Sequence, residues 1–165
     1  MEIGKLFKNI EEQYKSHKFK EIKIDSRDCK YGDIFLAING ITINGNIFIK
    51  EAIRNKAKTI ISNKKYQGFK KDVLFIHNKN PRKLLAELSS KIYSQKPKNL
   101  VAVTGTNGKS SITNFFHQIL SLNNKPVSSI GTLGININKK EFQTKNTTLD
   151  SLLLNKYLQH IKKNK

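Results

Sequence analysis

Residues Leu100 to Leu122, LVAVTGTNGKSSITNFFHQILSL, leave this chain few options. The segment opens with an apolar, β-branched run, Leu100-Val101-Ala102-Val103-Thr104, which predicts a buried strand. Gly105-Thr106-Asn107-Gly108 follows as a short turn, and Lys109-Ser110-Ser111 comes directly after it. Ile112, Phe115, Phe116, Ile119 and Leu120 then recur at i, i+3, i+4, i+7 and i+8, predicting a helix with one apolar face. Strand, glycine turn, Lys-Ser and helix make up the layout of a phosphate-binding loop. Glycines let backbone N–H groups close around an anion, and the helix N-terminus adds partial positive charge. In that layout Lys109 reaches the terminal phosphates of a nucleotide and the Ser110 hydroxyl ligates Mg²⁺. The longer pattern G-x-x-x-x-G-K-[ST] is not met, because Val103 stands at its first glycine. A bare Gly-Lys-Ser also occurs in ordinary turns carrying an exposed lysine. Here the flanking strand and helix favour a nucleotide triphosphate site.

At 165 residues the chain suffices for one good core, or for a small domain plus part of another. Its single cysteine, Cys29, excludes an internal disulfide and suits a reducing cytoplasm. No histidine lies near Cys29 in sequence to activate it, so it is expected to be a bystander. His17, His77, His117 and His160 show no metal-ligand spacing. The opening MEIGKLFKNIEEQYK lacks the apolar centre of a signal peptide, and no run approaches the ~20 apolar residues of a membrane span. A soluble, cytoplasmic monomer is expected. The formal charge of +19 invites a nucleic-acid reading. Against it, only Arg27, Arg54 and Arg82 among the 31 basic residues are arginines, the residue suited to bidentate readout. The lysines are scattered along the whole chain, so no specific nucleic-acid partner is expected. A lysine-rich nucleic-acid-binding protein with an incidental glycine loop is the alternative class.

Taken in order, Ile3, Leu6, Phe7, Ile10 and Tyr14 predict a surface helix over residues 2–16. A short strand at Glu21 to Ile24 runs into Asp25-Ser26-Arg27-Asp28. A turn at Tyr31-Gly32-Asp33 then leads to a strand at Ile34 to Ile38. A glycine-bearing loop, Asn39 to Asn46, precedes a helix with Ile49, Ala52 and Ile53 inward. Thr59 to Ser62 and Val73 to Ile76 read as further strands. Asn80-Pro81 supplies a helix cap and a first helical proline, and Leu84, Leu85, Leu88 and Ile92 supply that helix's buried face. Strands alternating with helices predict an α/β sheet covered by helices. The polar Ser94-Gln95-Lys96-Pro97-Lys98 is the expected boundary between a first domain over residues 1–95 and a second over residues 98–165. Beyond the loop helix, Pro126 to Ile130 predicts a second strand of the nucleotide-binding sheet. Gly131 to Gly134 forms a turn, Ile135 to Asn138 a strand, and Asn138-Lys139-Lys140 a hairpin turn. A final helix carries Leu154, Tyr157, Leu158 and Ile161, with Thr147-Thr148 as candidate caps.

Thr104-Gly105-Thr106-Asn107-Gly108-Lys109-Ser110-Ser111 resembles the ATP loop of the Mur ligases, TGTNGK[TS][TS]. Asp25-Ser26-Arg27, Gly32-Asp33-Ile34-Phe35-Leu36-Ala37, Gly40, Gly45 and Ala52 resemble the amino-terminal domain of two of them. These are the MurE type, which adds the third residue of the peptidoglycan stem peptide, and the MurF type, which adds the final dipeptide. Ile130 to Gly134, followed by Asn146-Thr147-Thr148, is similar to the MurE type, with the MurF type as the alternative. Leu149 departs from a common proline, and Ser110 replaces the commoner threonine while keeping the hydroxyl.

The resemblance implies an α/β fold: a small UDP-sugar-binding domain followed by the start of a P-loop-type central domain. It implies an ATP- and Mg²⁺-dependent ligase acting on UDP-N-acetylmuramoyl-L-alanyl-D-glutamate. The free carboxylate would be phosphorylated, and the amine of diaminopimelate or lysine would displace the phosphate. Carried over residue by residue, the ATP loop is Gly105, Thr106, Asn107, Gly108, Lys109, Ser110 and Ser111, with Lys109 catalytic and Ser110 on the metal. Ile24, Ser26, Ile41, Thr42, Ile43, Asn146, Thr147 and Thr148 would contact the UDP-sugar dipeptide. Asp and Ser also favour plain turns, and Ile41 and Ile43 equally suit a core. The second metal site, a carbamylated lysine and the amino-acid-selecting domain have no counterpart in these residues. An amino-terminal fragment without amide-forming activity of its own is therefore expected.

Overall fold

The computed structural model describes residues 1–7, 10–40, 42–137, 140–143 and 149–164, in two units, Met1–Leu88 and Ser89–Lys165. In the first, two four-residue helices, α1 (Ile3–Leu6) and α2 (Glu12–Lys15), precede β1 (Ile22–Lys23), β2 (Ile34–Leu36) and α3 (Ile49–Arg54). β3 (Thr59–Ser62), β4 (Gly68–Lys70) and β5 (Val73–His77) complete the sheet, and α4 (Pro81–Ile92) follows. The strand order is β1-β2-β3-β5-β4, parallel except for β4, which runs antiparallel along the edge of β5.

Every residue of β2 and β3 is buried, as expected of parallel strands covered on both faces. Phe35 pairs with Ile60, and Ile60 with Phe75, so these three share one face. That face packs with Cys29, Ile49, Ala52 and Ala57, which places α3 over it. Thr59, Leu74 and Phe69 form a row on the opposite face. There His17 Nε2 lies 3.1 Å from Thr59 Oγ1, and the rings of Tyr14 and His17 meet Phe69 edge-on. Each fully buried Ile, Leu or Phe is worth about 1.5–3 kcal/mol of transfer free energy, so this two-sided burial dominates the unit's stability.

The single helix expected over residues 2–16 is instead a hairpin of two helical turns. The Ile3 amide donates to His17 O and the Phe19 amide to Met1 O, tying the two ends of the segment together. Phe7 is extended and ends α1. At Gly4 a Cβ would lie 2.9 Å from Lys15 Cβ, so a glycine is what allows the two arms to close. Folding back lets Ile3, Leu6, Ile10 and Tyr14 all be buried, whereas one straight helix would spread them over about three turns. The edge strand β4 carries no strand signal in sequence, being short, glycine-led and half exposed.

The second unit contains α5 (Lys109–Leu122), β6 (Ser128–Gly131), β7 (Gly134–Ile137), β8 (Lys140–Phe142) and α6 (Ser151–Lys163). β6, β7 and β8 form an antiparallel meander. Ile135 and Ile137 pack with Ile161 of α6, flanked by Ile130, Phe142, Leu149 and Tyr157. Asp150 caps α6, accepting from the Leu153 amide at 2.9 Å, and the candidate caps Thr147 and Thr148 lie outside the described residues. β7 and β8 pair with Ile137 opposite Lys140, and residues 138 and 139 of the hairpin turn expected there lie outside the described residues.

Three expectations here need correction. Leu100 to Thr104 is neither a strand nor buried; Leu100 is 58% and Val101 70% exposed. The apolar run marks a segment suited to a sheet interior, but a strand exists only when a neighbour pairs with it. No strand among the described residues does so. Likewise, α5 forms where its periodicity predicts, yet no residue of it is buried. β6 pairs antiparallel with β7 and does not extend a parallel nucleotide-binding sheet.

Candidate functional site

Two constellations, one in each unit, collect the residues singled out by sequence. The first is the loop at the N-terminus of α5. Gly108 holds φ 76° at the N-cap and Gly105 φ 147°, both in the region that favours glycine. A Cβ on Gly108 would meet nothing within 4 Å, so the backbone conformation alone requires glycine there. The Lys109 ammonium folds back over the loop and donates to Gly105 O and, at 2.9 Å, to Thr106 O. It thus spans the concave side of the turn, where an anion would replace two carbonyl oxygens as its partner.

Ser110 Oγ lies 2.7 Å from Thr132 Oγ1, which joins the helix to the turn between β6 and β7. Lys109, Ser110, Thr113, Thr132 and Asn136 help line a cleft of about 440 Å³ that runs from this loop along α5 and the hairpin. The paired hydroxyls supply hard oxygen donors of the kind Mg²⁺ takes. No group of three His, Cys, Asp or Glu side chains able to hold a metal occurs among the described residues. Thr132 was not named as a site residue from the sequence, although it lies in the Ile130 to Gly134 segment that carries the MurE-type resemblance and in the turn that follows β6.

The second constellation lies beyond the carboxyl ends of the parallel strands, where open α/β sheets place their ligands. Ile24, half-buried, and Ser26, buried, follow β1. Thr42 and Ile43, both exposed, stand in the loop after β2. Asp25 Oδ1 accepts from the Arg27 amide at 3.0 Å and caps a 3₁₀ turn at Ser26–Asp28. Its carboxylate also takes a two-pronged contact from the Arg27 guanidinium, at 2.9 and 2.6 Å. That hydrogen bond raises the Arg27 pKa further.

The loop after β2 is closed by a Gly40 amide bond to Ile43 O at 2.9 Å and a Gly45 amide bond to Asn39 Oδ1 at 3.1 Å. Gly45 packs on Ile38, where a Cβ would stand 2.3 Å from the carbonyl oxygen. Arg82 of α4 donates to Asn39 O at 3.1 Å, and Asn46 Nδ2 to Asn63 Oδ1 at 2.8 Å, so the start of α4 and the end of β3 brace the same loop. Cys29 is buried under the 3₁₀ turn with its thiol towards Asp25 O, and burial pushes its pKa up to about 11. Ile41, Asn146, Thr147 and Thr148 lie outside the described residues.

Comparison with known proteins agrees with both halves. The Mur ligase family, catalytic domain, matches residues 18–93, and the Mur ligase middle domain matches residues 103–165. The chain is 37% identical over 160 residues to the UDP-N-acetylmuramoyl-L-alanyl-D-glutamate–2,6-diaminopimelate ligase of Rickettsia montanensis, covering 94% of the chain and 33% of that protein. With the Clostridium tetani ligase of the same name it shares 38% over 142 residues, 83% of the chain and 29% of that protein. The chain therefore spans about a third of the length of the curated relatives it matches.

A solved structure of a UDP-N-acetylmuramoyl-L-alanyl-D-glutamate–2,6-diaminopimelate ligase superposes with TM-score 0.76 at 25% identity, over 99% of this chain and 34% of its own. The MurF ligase of Thermotoga maritima in complex with ADP superposes with TM-score 0.50 at 26% identity, over 62% of this chain and 23% of its own. No helix among the described residues is long and apolar enough to cross a membrane. Two matching domains in sequence order, the glycine loop at the head of α5 and the sheet-end turn at Ser26 together place this chain in the Mur ligase family.

Proposed function

We propose that the chain is the UDP-sugar-binding domain and the opening of the ATP-binding domain of a MurE-type ligase, residues 1–95 and 98–165 respectively. In this reading the enzyme joins a diamino acid, 2,6-diaminopimelate by the names of the relatives, to UDP-N-acetylmuramoyl-L-alanyl-D-glutamate in the cytoplasm. The observation that carries it is the loop itself: left-handed glycine, Lys109 and a helix start in a chain whose other half matches the family's first domain. Loop amides from Gly105 to Ser111 would bind the phosphates of ATP, and Lys109 would neutralise charge on the group being transferred. Ser110 would hold Mg²⁺, which screens the phosphate oxygens when bound. Ile24, Ser26, Ile41, Thr42 and Ile43 would receive the UDP-sugar, and Asn146, Thr147 and Thr148 would reach the same substrate from the second domain. Lys109→Ala is expected to abolish Mg-ATP binding, measured by titration calorimetry, while Lys125→Ala beyond the far end of α5 has little effect. Equal losses in the two variants would mean diffuse charge attraction and would remove the loop assignment.

A further inference from the structure

α3 touches the Ser26 turn twice, from two side chains one helical turn apart. Ser26 Oγ donates to Glu51 Oε2, and Asn55 Nδ2 donates to Ser26 O at 2.9 Å. Ser26 is 4% exposed, so its side chain has no water to fall back on if these bonds are lost. The inner side of the same helix carries Ile49 and Ala52, which seat it on Phe35 and Ile60 of the sheet. At its N-terminus α3 continues directly from the 3₁₀ turn Gly45–Phe48, which closes the loop bearing Thr42 and Ile43. One rigid element therefore sets the position of both candidate substrate segments of the first unit.

We infer that Glu51 and Asn55 are positioning residues for the UDP-sugar site, a role that rests on the substrate reading above. Glu51 fixes the rotamer of Ser26 and Asn55 fixes its carbonyl, so the turn Asp25–Asp28 is held at one height over the sheet. The chemistry has a further consequence. A hydroxyl has one proton, and that of Ser26 is committed to Glu51. Towards a ligand the Ser26 side chain can only accept, so the group facing it must be a donor.

The test uses the whole 165-residue chain and UDP-N-acetylmuramoyl-L-alanyl-D-glutamate as titrant in calorimetry, with a thermal melt of each variant. Glu51→Ala is expected to weaken binding about tenfold, the scale of a hydrogen bond to a charged group. Glu51→Gln, whose amide oxygen accepts the same hydroxyl, should return affinity to within about threefold of the unmodified chain. The double variant Ser26→Ala/Glu51→Ala should bind no more weakly than Ser26→Ala alone, because the two residues act through one bond. A merely structural glutamate would lower the melting temperature without giving that coupling. Should Glu51→Ala fail to fold, Ser26→Ala and Glu51→Gln still probe the bond from its two ends. Then tight binding by Ser26→Ala, or a tenfold loss in Glu51→Gln, overturns the inference. Unchanged affinity in a folded Glu51→Ala overturns it too, while leaving the substrate reading intact. Failure of the unmodified chain to bind the titrant overturns the substrate reading, and the inference with it.

Discussion

Ser26 and Gly45 show how single positions govern the first unit's ligand edge. At Gly45 the obstacle to a side chain is the Ile38 backbone, with nitrogen and carbonyl carbon both 2.8 Å from a built Cβ. That backbone follows directly from the buried strand β2, whose pairing with β3 leaves it little room to move aside. Gly45→Ala is therefore expected to cost about 1–3 kcal/mol, the usual range for overpacking, and to lower the urea midpoint accordingly. A melt unchanged from the parent would show that the loop tolerates displacement. Cys29 offers a second check at this scale. Burial disfavours its thiolate, with a pKa near 11, so alkylation by iodoacetamide at pH 8 should be slow in the folded chain and fast in urea. Equal rates would mean that the 3₁₀ turn opens freely. The sequence marked Ser26 through its resemblance, but not its partner: Glu51 is 25 residues away, and nothing local to either residue pairs them.

Among the elements, the amino-terminal hairpin depends on protonation. His17 is held below its ordinary 6.5 because burial disfavours the charged ring, an effect that outweighs the opposing hydrogen bond with the Lys58 backbone. The folded state therefore favours neutral His17, and below 6.5 the unfolded chain binds more protons. This contribution to stability is present above pH 6.5 and is lost as pH falls through the depressed folded value. Urea unfolding of the first unit should weaken from pH 7.5 to pH 5, and His17→Gln should flatten that slope. An unaltered slope in the variant would assign the pH dependence to other groups. At this scale periodicity was a good guide where helices and strands bury a regular face, as in α3, α4, β2, β3 and β5. It failed over residues 2–16, because apolar residues at helical spacing specify that a face is buried but not that the helix stays unbroken. Gly4, which decides the matter by closing on Lys15, reads in sequence as no more than a weak helix position.

For the whole molecule, the first unit's sheet was legible because its strands carry their own burial in their composition. In the second unit the loop, α5, β6, β7 and α6 were legible, and the strand expected at Leu100 to Thr104 was not. Glycine positions, the lysine and the helix start depend on neighbouring residues alone, whereas the fate of Leu100 to Thr104 depends on a partner strand. The contrast has a measurable consequence. Ile34, Leu36, Ile60 and Ile61 of the first unit are fully buried, while α5 exposes Ile112, Phe115 and Ile119 by more than half and Leu122 by 82%. Apolar surface on that scale binds dyes and lowers local stability, since the helix lacks the packing that sustains helices in water. Limited proteolysis should therefore cut first within Ser89–Lys165 and leave a resistant fragment ending near Leu88. An anilinonaphthalene dye should fluoresce with the intact chain, and Phe115→Ser/Phe116→Ser should reduce that signal without shifting the unfolding midpoint of the first unit. Early cleavage inside residues 22–77, or dye binding that ignores the two phenylalanines, would place the weak surface elsewhere and contradict the burial pattern of both units.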